Sequence, residues 1–159
     1  MSPRPTQPIR DEHAELLPHI EDLRRLGDRA VTGESIEAEL QRSVAFLQQH
    51  LLIHAGAEER VLYPQVTELI GAAKATATMS RDHVEVERLS SQLAGTSPSD
   101  RGAVARLAYG LHAIVTLHFA KEEEVYLEIM DEAMSADAVA AVYQRMEDAA
   151  ASLKREASS

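Results

Sequence analysis

The segment HAGAEE at residues 54–59 is central to interpreting this chain, and a near copy, HFAKEE, follows at residues 118–123. Both segments place a glutamate four residues after a histidine, giving the pairs His54 with Glu58 and His118 with Glu122. In an α-helix, residues four apart differ by only about 40° around the axis and by about 6 Å along it. Each pair therefore directs an imidazole and a carboxylate toward one point from a single helix face.

The surrounding sequence supplies the helices that such a site needs. Ala, Leu, Val and Glu dominate, and apolar residues recur at helical spacing. We expect one domain over residues 1–159, with helices at roughly 8–29, 35–63, 75–94, 99–131 and 136–154. Pro64 should stop or kink the second helix, and Gly71 should end whatever follows. The pattern predicts an all-α fold, an antiparallel up-down-up-down four-helix bundle with a short additional C-terminal helix.

The first and third helices each contribute one further inward-facing histidine, His13 and His83. His13 shares a face with Ile20, and His83 shares a face with Val86. Glu59 and Glu123 fall about 140° around the helix from the preceding histidines, so we expect them at the surface. Neutral imidazole suits transition metals, and a carboxylate can span two metal ions. The candidate metal ligands are therefore His13, His54, Glu58, His83, His118 and Glu122.

Simpler interpretations exist for each of these residues taken alone. A single His-x3-Glu is usually a surface pair, and a single core histidine is usually hydrogen-bonded within the protein. Four imidazoles and two carboxylates buried without a cation would cost many kcal/mol, which a domain of ordinary stability cannot absorb. We therefore favour a metal centre. Without metal, we expect burial and mutual repulsion to raise the pKa values of the two facing carboxyl groups.

The ordered pattern of these ligands resembles the hemerythrin-like, or HHE cation-binding, family over about residues 8–155. The similarity extends to the flanks, EERVLYP at residues 58–64 and TATMSRDH at residues 76–83. The resemblance implies a non-haem centre of two iron ions, bridged by both glutamates and by an oxo or hydroxo group. The oxygen-carrying hemerythrins have a fifth histidine, four residues from another on the third helix. Here the corresponding positions hold Met79 and Glu87, which puts reversible oxygen storage in doubt.

Three further residues are candidates for roles beside the metal. His50 lies one turn before His54, and Glu87 lies one turn after His83. If both face inward they should pair, or one should reach the metal; otherwise Glu87 faces solvent and His50 packs at a helix boundary. Tyr126 follows Glu122 by four residues, so it is either a core residue or a hydrogen-bond donor to Glu122.

The amino-acid composition limits the kinds of molecule that this chain is expected to bind. The formal net charge of −10 disfavours binding to nucleic acid or to an anionic membrane. The absence of cysteine excludes disulfides, thiol catalysis and cysteine-held metal clusters. The N-terminal residues are polar and show no signal-peptide pattern, and no apolar run approaches a transmembrane length, so a cytoplasmic location is expected. The sequence does not indicate an oligomeric state.

Three classes of function remain open. The first is binding or turnover of a small oxidant, either peroxide, oxygen or nitric oxide, with catalase-like, peroxidase-like or nitric-oxide-handling activity as the enzymatic form. The second is an iron or oxygen sensor, and the third is iron storage or donation. A site with few histidines and an open position favours the first class.

Overall fold

The computed structural model describes residues 4–159, and within this range the chain is helical and contains no strand. The all-α prediction is confirmed. The helices are α1 (Gln7–Thr32), α2 (residues 37–70), α3 (Ala77–Ala94), α4 (Arg101–Ala133) and α5 (Ala136–Ala157).

Helix α2 is longer than predicted and continues through Pro64 to Ile70. A proline inside a helix removes one donor and crowds the carbonyl of the preceding turn. That preceding turn, Glu58–Leu62, is π-helical. A π-helical turn is wider than an α-helical one, so it leaves space for the proline ring. The helix ends at Gly71, which was expected to close the segment after Pro64 and whose positive φ of 72° is a conformation that glycine adopts without strain.

Two further π-helical turns interrupt the long helices. One is Leu47–Leu51 in α2, and the other is Glu122–Tyr126 in α4. The turns at Glu58–Leu62 and Glu122–Tyr126 occupy the same register relative to the two His-x3-Glu segments. Each begins at the glutamate of its segment.

Apolar residues form two core clusters, one on each side of the predicted ligands. Along α1, Ile9 belongs to the smaller cluster and Ile20 to the larger, with His13 between them. Along α2, Leu51 belongs to the larger cluster and Leu62 to the smaller, with His54 and Glu58 between them. The predicted ligands therefore lie in a polar layer between two apolar ones.

The C-terminal helix α5 packs against α2. It buries Val139, Val142 and Met146 in the smaller cluster. A Cβ atom on Gly56 would lie 2.7 Å from Leu153 Cδ1, so the missing side chain allows α5 to approach α2 closely at this point.

The sequence was expected to contain no apolar run of transmembrane length, and helix α4 differs from that expectation. Arg101–Ala133 is long and apolar enough, by length and composition alone, to cross a membrane. The core helix of a bundle meets the same criterion. Near its middle, α4 has the buried polar residues His118 and Glu122.

Candidate metal centre

The structure brings all six predicted ligand side chains together. Two groups of ligand atoms form, each with its members within 4.8 Å of one another. The first half-site contains His13, His54, Glu58 and Glu122, and the second contains His83, His118, Glu58 and Glu122. Five of the six side chains are buried, and His83 is partly buried. A single layer of the bundle thus holds two adjoining ligand sets.

The two glutamates are shared between the half-sites, with one carboxylate oxygen facing each. Glu58 Oε1 lies 2.9 Å from His54 Nε2, and Glu58 Oε2 lies 3.2 Å from His83 Nε2. Glu122 Oε2 lies 3.4 Å from His13 Nε2, and Glu122 Oε1 lies 3.3 Å from His118 Nε2. This is the arrangement in which a carboxylate can bridge two cations.

Several of these inward-facing atoms have no hydrogen-bond partner. They are His13 Nε2, His54 Nε2, both oxygens of Glu58, and Glu122 Oε2. The short distance between His54 Nε2 and Glu58 Oε1 falls outside hydrogen-bonding geometry. Buried polar atoms are almost always paired, so such a cluster indicates atoms arranged for a partner other than a protein group. The residues present therefore fit a metal centre.

A ring of four outer carboxylates orients the imidazoles. Each histidine donates from Nδ1 to an acidic side chain on a neighbouring helix: His54 to Glu12 at 3.0 Å, His83 to Glu59 at 2.7 Å, His118 to Asp82 at 3.0 Å and His13 to Glu123 at 3.0 Å. In the neutral imidazole, which is the form that binds a metal, each bond places the proton on Nδ1 and leaves the Nε2 lone pair directed inward.

Two members of this ring, Glu59 and Glu123, were expected at the surface, and their hydrogen bonds to imidazoles were not anticipated. Glu59 and Glu123 are partly exposed, as expected for surface residues, yet each accepts a hydrogen bond from an imidazole of the adjacent helix. Glu12 and Asp82 were not singled out. The signal was present, because each of these two acids directly precedes a ligand histidine and reaches the histidine of the next helix.

Without a metal ion, the buried imidazoles and carboxylates pair with each other. Burial lowers the pKa of His118, but hydrogen bonding to Glu122 and nearby negative charge outweigh it and raise the pKa to about 9. Burial likewise lowers the pKa of His54, and the charges of Glu58 and Glu12 raise it well above its ordinary value.

The expected rise in the pKa of Glu58 is wrong. Burial does raise the pKa of this carboxyl group, but the charge of His54 and the close approach of the His13, His54 and His83 imidazoles lower it well below its ordinary value. The prediction considered the repulsion between two carboxylates and omitted the surrounding imidazoles.

Tyr63, which the sequence analysis did not consider, contributes a hydroxyl to the second half-site. Its Oη donates to Glu122 Oε1 at 2.6 Å and lies 3.1 Å from His118 Nε2 and 3.3 Å from His83 Nε2. Of the two alternatives for Tyr126, a core residue or a donor to Glu122, the structure shows the first. Its side chain is buried, and its hydroxyl donates to the carbonyl of Ala75 at 2.9 Å.

Of the two alternatives for His50 and Glu87, the inward-facing pair does not form. Both side chains are exposed, and they lie in separate grooves. His50 stacks on Phe46, with ring centroids 6.1 Å apart, in a groove between α1 and α2. The π-helical turn Leu47–Leu51 ends between His50 and His54, so the two do not follow the α-helical spacing that predicted a shared face. The alternative, with Glu87 in solvent and His50 at a helix boundary, describes the structure.

These features define a class: an α-helical protein with a buried cluster of histidines and glutamates suited to binding metal cations. Comparison with protein-family models identifies the family. The hemerythrin HHE cation-binding domain matches residues 4–130, and the chain belongs to this family. The match ends before α5. A search of curated proteins and a search of solved structures found no match.

Proposed function

We propose that this chain is a non-haem di-iron protein that binds or turns over a small oxidant, either peroxide, oxygen or nitric oxide. The observation that supports this most directly is the sharing of Glu58 and Glu122, each with one oxygen toward either half-site. A site for a single ion would not require two carboxylates that each direct one oxygen toward either half-site. Two adjacent ions would satisfy the buried atoms that lack partners.

The local charge supports two cations rather than one. Six carboxylates belong to the site, the two shared glutamates and the four of the outer ring. Two cationic side chains contact that ring: Lys121 pairs with Asp82, and Arg10 lies 3.8 Å from Glu123. Even when both are counted in full, at least four negative charges remain. Two divalent ions would balance these charges, whereas one would balance only half.

The ligand types are compatible with iron. Imidazole with carboxylate suits iron and other transition metals, and the family resemblance, not the donor set alone, favours iron among them. When bound, such a pair supplies redox equivalents and Lewis acidity to a small ligand. His13, His54, His83 and His118 would hold the ions, and Glu58 and Glu122 would bridge them.

The protein around the centre favours a small ligand over a large substrate. The polar layer lies between apolar clusters, and Phe119 stacks on His13 with centroids 4.2 Å apart. A groove of about 320 Å³ between α2 and α3 reaches the edge of His83 and is lined by Gly56, Glu59 and Ser80 among others.

Metal analysis combined with optical spectroscopy tests the proposal. The purified chain is loaded with iron, metal content per chain is measured, and oxygen, peroxide and nitric oxide are added in turn. We expect two irons per chain, near-ultraviolet absorption from a ferric pair, and a spectral change with at least one oxidant. Oxygen evolution from peroxide would support an enzyme, and a reversible change with oxygen would support a carrier.

The same experiment separates the alternatives. Two irons that respond to none of the three molecules would contradict the proposal and favour storage or donation. A metal-dependent change in shape or association, without turnover, would favour a sensor. Glu58→Gln should lose the iron pair, whereas the matched Glu15→Gln, at an exposed position on α1, should keep it.

We further propose that the five helices form one domain and that α1 to α4 follow up-down-up-down order. Contacts between chain-distant residues support this arrangement. Thr6, just before α1, bonds Asp131 near the end of α4, and Asp28 late in α1 bonds Tyr109 early in α4. Such pairings are expected when neighbouring helices run in opposite directions.

A further inference from the structure

Helix α4 has an apolar side that no other helix covers in the described part of the chain. Seven large apolar side chains are exposed among residues 4–159, and three of them, Tyr109, Leu117 and Val125, lie on this helix. Leu117 is 60% exposed. Of the stretch of α4 that is apolar enough to cross a membrane, only 44% is buried. Contiguous apolar surface on a folded chain usually marks a place where another molecule binds.

The neighbours of α4 in the bundle show which side is uncovered. On one flank, the hydroxyl of Tyr109 donates to Asp28 of α1 at 2.7 Å. On the other flank, Lys121 pairs with Asp82 of α3. The inner side of α4 faces the core and includes the buried Val115. The uncovered side is therefore the outer one, opposite Val115.

Charged residues lie only at the two ends of this outer side. Between Arg106 and Lys121, α4 contains no Asp, Glu, Lys or Arg. Arg106 and Glu124 are exposed, and the ion pairs that α4 forms within residues 4–159 include neither. Ala113 follows Arg106 by seven residues, and Leu117 lies four residues further on. Glu124 follows Leu117 by seven, and these spacings return to one side of a helix.

This order of residues is complementary to itself when two copies of α4 pack in opposite directions. If the twofold axis passes at the level of Val115, Arg106 lies nine residues before it and Glu124 nine residues after it. Arg106 of one copy then lies opposite Glu124 of the other. Ala113, two residues before Val115, lies opposite Leu117, two residues after it. In a twofold dimer each of these contacts occurs twice.

Charge and packing both favour this antiparallel arrangement. Leu117 packs beside the small Ala113 of the second copy, as large and small side chains alternate across well-packed helix pairs. A parallel arrangement would place Arg106 against Arg106 and Glu124 against Glu124, and like charges opposed across an interface are unfavourable. The net charge of −10 disfavours an anionic membrane as the other occupant.

Gly110 is explained by the same arrangement and not by packing within the chain. A Cβ atom on Gly110 would lie 3.7 Å from Leu89 Cδ1, an ordinary contact, so the bundle itself accommodates alanine here. Glycine inside a helix is unfavourable relative to alanine. In the antiparallel pair Gly110 lies five residues before Val115, opposite Ala120 of the second copy, five residues after it. Two small residues at this level let the helix backbones approach closely.

We propose that this chain forms a twofold homodimer through the outer side of α4, with the two helices antiparallel and their midpoint at Val115. The contact runs from Arg106 to Glu124, about 27 Å of helix. The dimer goes beyond the proposed function and does not depend on it, because none of the contacting residues is a candidate metal ligand. His118 and Glu122 are buried on the inner side of the same helix, so each copy keeps its own ligand set.

Sedimentation velocity of the full chain, loaded with iron, over a range of concentrations measures the dimer dissociation constant. Ala113→Glu places a carboxylate near the centre of the interface. We expect it to weaken the dimer at least about 100-fold, because an unpaired charge is costly to bury. Ala141→Glu is the matched control, since it makes the same change at an exposed position of α5, and it should leave the dimer unchanged. Circular dichroism checks that both variants fold.

Charge reversal tests the antiparallel register. Arg106→Glu and Glu124→Arg each oppose like charges at both ends of a homodimer, so each should weaken it at least about tenfold. An equal mixture of the two variants should recover the affinity of the unmodified chain, because the mixed pair again opposes an acid to a base at both ends. In a parallel pair neither variant alone would weaken the dimer, since like charges already face each other there.

Three outcomes would overturn the proposal. The first is a chain that stays monomeric at concentrations up to about 1 mM, where even weak dimers form. The second is a dimer that Ala113→Glu and both charge-reversed variants leave unchanged, which would place the interface elsewhere. The third is a monomeric chain that floats with phosphatidylcholine vesicles and loses this binding in Ala113→Glu, which would show that α4 contacts a membrane instead.

Discussion

Removing the metal ions should destabilise the fold strongly, and the structure indicates by how much. Five buried atoms of the site lack a hydrogen-bond partner within the protein: His13 Nε2, His54 Nε2, Glu58 Oε1, Glu58 Oε2 and Glu122 Oε2. An unsatisfied buried polar atom costs about 1–3 kcal/mol. Because protonated imidazoles recover part of this cost by pairing with the carboxylates, we take the lower end, about 5 kcal/mol. That is comparable to the whole stability of an ordinary domain.

The expected change in melting temperature follows from this value. For a domain of this size, 1 kcal/mol shifts the melting temperature by about 2–4 °C, so chelation should lower it by at least about 10 °C. Scanning calorimetry of the loaded, chelated and reloaded protein measures the shift, and reloading should restore it. Glu58→Gln is the control, since a variant that binds no ion pair should not respond to the chelator. A chelated protein that melts within about 2 °C of the loaded one, a shift worth 1 kcal/mol or less, would refute the reasoning.

Three further predictions concern pH, the outer carboxylates and the C-terminal helix. Because the pKa of His118 without metal is raised to about 9, its stabilisation of the metal-free fold is complete below about pH 6.5 and is lost as pH rises through 9. The loaded protein has no such loss, so the gap between their melting temperatures should widen from pH 6.5 to 9; a constant gap would contradict the pairing. Glu12→Gln should weaken metal binding about 10–100-fold in metal titrations, whereas Glu15→Gln, one turn away and exposed, should not. Equal affinities would remove Glu12 from the site. Met146→Ala should cost about 2–5 kcal/mol in denaturant unfolding, because the side chain is 3% exposed, while Gln144→Ala on the exposed face should cost little. A cost of less than 1 kcal/mol for Met146→Ala would show that α5 is not packed as described.

The clustering of the six candidate ligand side chains could be predicted from the sequence because it depends only on regular helical geometry. His54 with Glu58 and His118 with Glu122 are four residues apart, and both pairs face inward as expected. His13 and His83 could be placed because neighbouring apolar residues mark the buried face of their helices. These inferences use the α-helical period over a single turn, where irregularities have little effect.

The errors occurred next to π-helical turns, which the α-helical period does not describe. A donor role was considered for Tyr126 because it lies four residues after Glu122, yet both residues belong to the π-helical turn Glu122–Tyr126 and the hydroxyl points to Ala75. Tyr63 was overlooked because five residues correspond to the wrong face in a regular α-helix. Helix α2 was ended too early because Pro64 was judged without the wider turn before it. Composition gives no signal for a π-helical turn, so these features needed the structure.

The hydrogen bonds from the imidazoles to the outer carboxylates follow the same pattern in both half-sites. The bonds run from Glu12 on α1 to the histidine of α2, from Glu59 on α2 to α3, from Asp82 on α3 to α4, and from Glu123 on α4 back to α1. Each half-site therefore has two imidazoles that donate to carboxylates in the same manner. It also receives one oxygen from each shared glutamate.

Since the imidazoles and shared carboxylates are equivalent in the two halves, a difference in reactivity between two bound ions must arise from the groups that break the pattern. The inner difference is Tyr63 against Leu127, which gives one half-site an oxygen and the other a hydrocarbon. The outer ring does not break the pattern in the same way, because each half-site has one cation beside its outer carboxylates: Lys121 contacts Asp82, the partner of His118, and Arg10 lies 3.8 Å from Glu123, the partner of His13. The contrast between Tyr63 and Leu127 therefore lies inside the centre and not in its outer charges. It makes the half-site of His13 and His54 the less polar of the two.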